Sequence, residues 1–135
     1  GIDLLAGNGG NDRFIFPAGS SFSGTLASGV GTDTVDFSAA LSPLEFVLSA
    51  LGSLDGFNGT INGAAFSDIE TLIASGLNGD RLTGMDSAAT WTISSSQYTG
   101  SGRSLTYQNF ETLRGGKAAT LAFHSSSVRV MWFQT

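Results

Sequence analysis

The residues best suited to chemistry lie in the first 15 positions, where glycine, asparagine and aspartate alternate. Asp3 and Leu5 recur nine positions later as Asp12 and Phe14. Gly and Asn accept left-handed backbone conformations, so Gly7–Asn11 can form a tight turn that directs carbonyl oxygens inward, and Asp12 adds a carboxylate. Calcium prefers such oxygen ligands, at about six to eight per ion. The pattern therefore predicts a calcium-binding turn.

Six positions follow from this pattern as candidate calcium ligands: Asp3, Gly7, Gly9, Gly10, Asp12 and Asp33. Asp3 depends on a turn that would precede the first residue. For Asp33, as for Asp80 and Asp86, the alternative is an ordinary turn residue whose carboxylate bonds the local backbone. The alternative for the whole segment 7–12 is a plain Gly/Asn hairpin.

Catalytic chemistry has little support in this sequence. The single histidine, His124, follows an apolar run, and no G-x-S-x-G segment presents a nucleophilic serine. Glu70 and Glu111 could pair as acid and base, but they occupy the same place in an internal repeat, which favours equivalent turn or surface positions. Cysteine is absent, which excludes disulfides and thiolate chemistry. We predict that the chain is not an enzyme.

The composition is that of a weakly charged, acidic chain with enough apolar residues for a core. Hydrophobic residues make up 41% and charged residues 13%, about half the usual share of roughly 25%. The net charge of −5 argues against nucleic acid as a partner, and no apolar run approaches the roughly 20 residues of a membrane-spanning helix. Since the chain starts at Gly1 in the middle of a repeat, we expect an excised or processed piece.

The elements that must position these residues are short strands. Helical periodicity is poor, and the best candidate, Ser38–Leu51, contains Pro43 and is equally compatible with a strand. Trp91 and Ile93 alternate with polar residues, which favours an interior face over a sugar-binding platform formed with Tyr98 and Tyr107. Eight short apolar or alternating runs predict strands: Arg13–Phe16, Thr34–Phe37, Glu45–Leu48, Glu70–Ile73, Thr90–Ser94, Ser104–Tyr107, Thr120–Phe123 and Val128–Phe133.

A longer internal repeat indicates how these strands are organised. The segment Phe66–Leu72 is echoed 41 residues later by Tyr107–Leu113. Two coils per repeat would give about twenty residues per coil, a length typical of solenoids. We therefore predict a single domain over residues 1–135, with a nonapeptide-type turn at 1–16 and irregular coils over 28–135.

Gly7–Ile15 fits the nonapeptide G-G-x-G-x-D-x-U-x, with Asn8 in place of the second glycine, and Ser28–Asp36 and Asn78–Gly84 keep parts of the pattern. The chain thus resembles the repeats-in-toxin family. That resemblance implies a right-handed parallel β-helix or β-roll of about six coils, with calcium ions between turns eighteen residues apart. Val30 stands at that distance from Asp12, and the nearest aspartate, Asp33, comes three residues later.

The resemblance implies a structural or adhesive segment of a large secreted or cell-surface bacterial protein that folds on calcium after export. The alternative is the secretion and stability module of a secreted protease, lipase or alginate epimerase, and the irregular coils favour the former. Thr90–Thr92 hints at ice or polysaccharide binding on a flat face. We expect no membrane insertion, contact with the cell surface or polysaccharide, and self-association through the solenoid ends or the strand 128–133, which is apolar on both faces.

Overall fold

The chain folds into two β-sheets and crosses repeatedly from one sheet to the other. The computed structural model describes residues 3–116, 118–123 and 129–132, and the account of the fold concerns these residues. They form one short 3₁₀ turn, Ile93–Ser95, and fifteen strands: β1 Leu4–Ala6, β2 Arg13–Ile15, β3 Thr25–Ala27, β4 Thr34–Asp36, β5 Glu45–Leu51, β6 Phe57–Ile61, β7 Ala64–Ile69, β8 Thr71–Ile73, β9 Arg81–Thr83, β10 Ala89–Thr92, β11 Gln97–Gly100, β12 Arg103–Gln108, β13 Thr112–Gly115, β14 Ala119–Phe123 and β15 Arg129–Trp132.

The first sheet has eight strands in the order β1-β3-β7-β6-β5-β9-β13-β15, and the second has seven in the order β14-β10-β11-β12-β8-β4-β2. The prediction of an all-β protein is confirmed. The prediction of a right-handed parallel β-helix or β-roll of about six coils is wrong, because both sheets are mixed. Strands β5, β6 and β7 form an antiparallel meander in the first sheet, and β10, β11 and β12 form one in the second.

Each meander contains one hairpin turn of two residues. Asn62 and Gly63, with φ of 47° and 90°, connect β6 to β7, and Ser101 and Gly102, with φ of 51° and 79°, connect β11 to β12. Positive φ at both central residues is the requirement of the tight hairpin turn whose twist matches that of the flanking strands. Asn-Gly is the strongest local signal for such a turn, and it reverses the chain where a parallel coil would have continued.

The 41-residue repeat places equivalent residues in opposite sheets. Phe66 lies in β7 of the first sheet, whereas its counterpart Tyr107 lies in β12 of the second. Both are buried, and each is followed by a residue with left-handed backbone, Asp68 at φ 60° and Asn109 at φ 66°. The repeating unit is therefore an antiparallel meander followed by a crossing to the other sheet.

Near the N-terminus, parallel pairing runs at a spacing of 21 residues. Leu4 pairs with Thr25 in the first sheet, and Arg13 pairs with Thr34 in the second. An isolated parallel bridge joins Gly9 to Val30 in the turn between them. The spacing is thus three residues longer than the eighteen that the nonapeptide resemblance implies.

The core is a single cluster between the sheets, and aromatic rings run through it. Trp91 and Tyr98 are fully buried, Tyr107 and Ile93 nearly so, which confirms the interior face predicted for Trp91 and Ile93 and excludes an exposed sugar platform. Ring contacts link the two ends of the cluster through Phe22, Phe16, Phe37, Phe46, Phe110, Tyr107, Trp91, Tyr98 and Phe57.

Each of the eight predicted strands overlaps a strand of the structure. The segment 38–51 holds strand β5 rather than a helix. Strand β15 covers the middle of the predicted strand 128–133 and forms an outer edge of the first sheet. Val128, Phe133 and His124 lie outside the described residues.

We expect Leu72→Ala to lower the free energy of unfolding by about 2–5 kcal/mol, because it opens a cavity at the centre of the second sheet. Leu72 is fully buried and lies between Val35 and Tyr107 on neighbouring strands. Urea unfolding measures the change. The matched control is Leu41→Ala, at a side chain that is 72% exposed, which should stay within about 0.5 kcal/mol of the parent. Equal losses in the two variants would contradict this core assignment.

Candidate functional site

Three carboxylates stand one above another where the chain enters the second sheet. Asp12 immediately precedes β2, Asp33 immediately precedes β4, and Glu70 immediately precedes β8. The backbone N–H of Asp12 donates to Asp33 Oδ1 at 2.8 Å, and the backbone N–H of Asp33 donates to Glu70 Oε2 at 2.7 Å. We call these three residues the carboxylate ladder.

Parallel pairing explains the ladder. The N–H groups just before β2 and β4 need acceptors, and in this register each of the two faces the carboxylate that precedes the neighbouring strand. Because Arg13 pairs with Thr34, the residues before them, Asp12 and Asp33, come side by side. Asp33 therefore is not displaced by three residues, as a spacing of eighteen would suggest, since the actual spacing is 21.

Asp55 joins the ladder from a distant part of the chain. It lies in the turn between β5 and β6, and its Oδ2 accepts a hydrogen bond from the backbone N–H of Gly31 at 2.8 Å. Sequence analysis missed both Asp55 and the role of Glu70 because neither belongs to a nonapeptide. The repeat context of Glu70 was the one available signal, and it was interpreted as an ordinary turn or surface position.

Each of these four carboxylates has one oxygen that is buried without a hydrogen-bond partner. These atoms are Asp12 Oδ2, Asp33 Oδ2, Asp55 Oδ1 and Glu70 Oε1. Asp33 is 0% exposed, so its second oxygen cannot be satisfied by bulk water. Among the described residues, no basic side chain bonds to any of the four, and the nearby Arg13 pairs with Asp36 instead. A buried negative charge without a partner is costly, so the group has a strong tendency to bind a cation or a proton.

The pKa of Glu70 reflects this tendency to take up a proton or a cation. Burial raises the pKa of Glu70 from its usual 4.5 to about 7, and the negative charges of Asp55 and Asp33 act in the same direction. The hydrogen bond from the Asp33 backbone N–H offsets part of the effect. Near neutral pH this carboxyl group is therefore poised between the protonated and the charged form.

Glycines let the backbone approach these oxygens closely. A Cβ atom on Gly7 would overlap the Asp12 carboxylate and come within 2.5 Å of the Ser28 carbonyl oxygen. A Cβ atom on Gly56 would overlap the Glu70 carboxylate and come within 2.6 Å of the Ile69 carbonyl oxygen. Carboxylate and carbonyl oxygens thus lie together, packed against the backbone of the two glycines. These are the donor types that calcium prefers, so the chemistry of the donors fits that ion.

The other candidate ligands lie farther from the ladder. Asp3 is exposed and precedes β1 in the first sheet, where its carbonyl oxygen accepts a hydrogen bond from Thr25. Gly9 and Gly10 are exposed, and they connect to Val30 through the parallel bridge and through the Gly10 N–H. The structure therefore brings together Gly7, Asp12 and Asp33, while Asp3, Gly9 and Gly10 lie at the surface.

A second pair of carboxylates has the same bond from backbone to carboxylate, and here both oxygens of the aspartate accept hydrogen bonds. The backbone N–H of Asp80 donates to Glu111 Oε1 at 3.0 Å, as that of Asp33 does to Glu70. Asp80 Oδ1 accepts from the Leu44 N–H and Asp80 Oδ2 from the Ser75 hydroxyl, both at 2.6 Å. Asp80 is fully buried like Asp33 but has hydrogen bonds to both carboxylate oxygens. Asp80 thus corresponds to Asp33 in position, but its carboxylate needs no further ligand.

Within residues 3–116, 118–123 and 129–132, no group of three or more His, Cys, Asp or Glu side chains is placed so that it could hold a metal ion without rearrangement. The same residues include no helix that is long and apolar enough to cross a membrane. In comparisons with known proteins, no family model, no curated sequence and no solved structure matches this chain. The resemblance to the repeats-in-toxin family and the calcium ligands stay predictions.

With a chelator present, we expect the free energy of unfolding to fall as the pH rises from about 4.5 to about 7. Because the pKa of Glu70 is higher in the folded state than in the unfolded chain, the folded state binds the extra proton and loses that advantage as the proton leaves. Chemical denaturation across this pH range measures the slope. Glu70→Gln should flatten it, whereas Glu111→Gln should leave it unchanged. A parental slope in Glu70→Gln would refute the assignment.

Proposed function

We propose that this chain is a structural or adhesive segment of a large secreted or cell-surface protein. In this segment, calcium bound at the turn 7–12 would join strands β2 and β4. The observation that carries the proposal is the pair Asp12 and Asp33, which lie in register and each keep a buried oxygen without a partner. The Ser28 carbonyl oxygen beside Gly7 adds a further oxygen ligand. Asp12, Asp33 and this carbonyl group would hold the ion.

The proposed role of calcium is to link folding to the surroundings of the protein. Bound calcium would supply the positive charge that the carboxylate ladder lacks. Asp12 and Asp33 themselves help to keep β2 and β4 in register. Without the ion, neighbouring carboxylates repel one another and oppose the parallel pairing of β2 with β4. A ligand that binds only the folded state stabilises it by mass action, so such a chain would fold in a calcium-rich external medium.

Two edge strands support a structural role over a merely stabilising one. Strands β1 and β2 end the two sheets near the N-terminus, and none of the described strands pairs with their outer edges, which are templates for further strands. Leu4 and Ile15 on these strands are 58% and 65% exposed. Within the first sheet every strand except β6 runs in the same direction, so β1 and β15 are parallel, and within the second sheet only β11 is reversed. A second copy could therefore extend the first sheet end to end, which is the self-association we propose.

Calcium should raise the melting temperature on the order of 10 °C at about one hundred times its Kd, since that occupancy stabilises the folded state by about 2.7 kcal/mol. Circular dichroism melts in calcium and in chelator measure the shift. Asp12→Asn should reduce it, because the variant removes a ligand charge, whereas Glu45→Gln, at an exposed position of β5, should retain it. An identical melt in calcium and chelator would eliminate calcium as the organising ion.

A further inference from the structure

We infer a second divalent-cation site, formed by Asp33, Asp55 and Glu70, where the turn between β5 and β6 meets the carboxylate ladder. It deepens the proposed function and rests on it in one respect, because Asp33 would contribute to both sites. The turn 52–56 belongs to the meander β5–β7, so a cation at this site would link that meander to the paired strands β2 and β4.

Every carboxylate of this group has one oxygen fixed and one free. Backbone N–H groups hold Asp33 Oδ1, Asp55 Oδ2 and Glu70 Oε2 at 2.7–2.8 Å. The other oxygen of each is buried and receives no hydrogen bond from an N–H or O–H group of the described residues, and the Glu70 and Asp55 carboxyl groups lie close enough to share a proton. The fixed oxygens orient the three groups, and the free ones remain available to a ligand that can accept electron pairs. A divalent cation is such a ligand, and a water molecule could satisfy only part of the charge.

The burial of Asp33 distinguishes this group from an ordinary acidic patch. Its side chain is 0% exposed, yet Oδ2 has no partner among the described residues. An isolated buried carboxylate is expected to be neutralised by a proton, a basic side chain or a metal ion. Asp33 has no basic partner among the described residues, and its neighbours Asp55 and Glu70 are acidic side chains as well. A cation shared among the three neutralises them together.

The turn 52–56 is shaped around the free oxygens. Gly56 has φ +52°, and its α-carbon lies against the Glu70 carboxylate and the Ile69 carbonyl oxygen, which would contribute a further ligand. Arg103 holds this turn from the opposite side, since its Nη1 donates to the Gly52 and Gly56 carbonyl oxygens at 2.6 and 3.1 Å. The guanidinium thus bonds to the backbone of the turn, which leaves the carboxylates for the ion.

The chemistry of the donors favours calcium over magnesium. Among the described residues, no three carboxylates are arranged to hold an ion as they stand, so the side chains of this group must rearrange when the ion binds. Calcium tolerates variable numbers of oxygen ligands and irregular geometry, whereas magnesium demands a nearly ideal octahedron. The Asp80 and Glu111 pair would bind no ion, because the Leu44 N–H and the Ser75 hydroxyl already satisfy Asp80.

Calorimetric titration of the full chain with calcium counts the ions. We expect two ions in the parent, one in Asp55→Asn and one in Glu70→Gln, with the remaining ion within about threefold of its parental Kd. Both replacement amides keep an oxygen that can accept the existing backbone hydrogen bond, and two variants guard against the loss of folding in one. The matched control Glu111→Gln should bind two ions, and magnesium should bind at least tenfold more weakly than calcium.

The outcomes separate the two sites. If Asp55→Asn and Glu70→Gln bind as many ions as the parent, the second site is wrong, whether or not Asp12→Asn loses an ion. If these two variants each lose an ion and Asp12→Asn loses none, the second site stands and the turn 7–12 is not a calcium site. A parent that binds no calcium would overturn both.

Discussion

The backbone N–H groups just before β2 and β4 must find acceptors where the chain enters the second sheet, and carboxylates supply them. Asp33 serves Asp12, and Glu70 serves Asp33, across strands whose parallel register is set by the hydrogen bonds of β2, β4 and β8. A carboxylate is a strong acceptor, but its position beneath the next crossing buries its second oxygen. The same arrangement that aligns the strands therefore concentrates negative charge.

This constraint is met in two ways within one chain. At Asp80 the Ser75 hydroxyl and the Leu44 N–H complete the bonding, so the crossing is stable by hydrogen bonds alone. At Asp33 the corresponding oxygen is open, and Asp55 adds a further negative charge beside it. The two halves of the 41-residue repeat thus share a backbone geometry and differ in what neutralises it. That difference is the physical basis for a dependence on cations.

Much of the fold was accessible to sequence reasoning, and the sheet topology was not. The eight alternating or apolar runs all overlap strands, and the burial of Trp91 and Ile93 followed from their alternation with polar residues. The antiparallel meanders were missed, although Asn62-Gly63 is a strong hairpin signal. A repeat of 41 residues was interpreted as two coils, because its length alone does not distinguish two parallel passes from one meander and one crossing.

The sequence by itself determined the all-β class, the short strands and the turn 7–12, because these depend on local backbone preferences and on the alternation of side chains. Only the tertiary structure decided which carboxylates meet. Asp33 lies 21 residues from Asp12 and 37 from Glu70, and Asp55 arrives from a turn inside the first meander. Such contacts follow from strand register between sheets, which depends on the hydrogen bonds of the whole core and leaves no fixed spacing in the sequence.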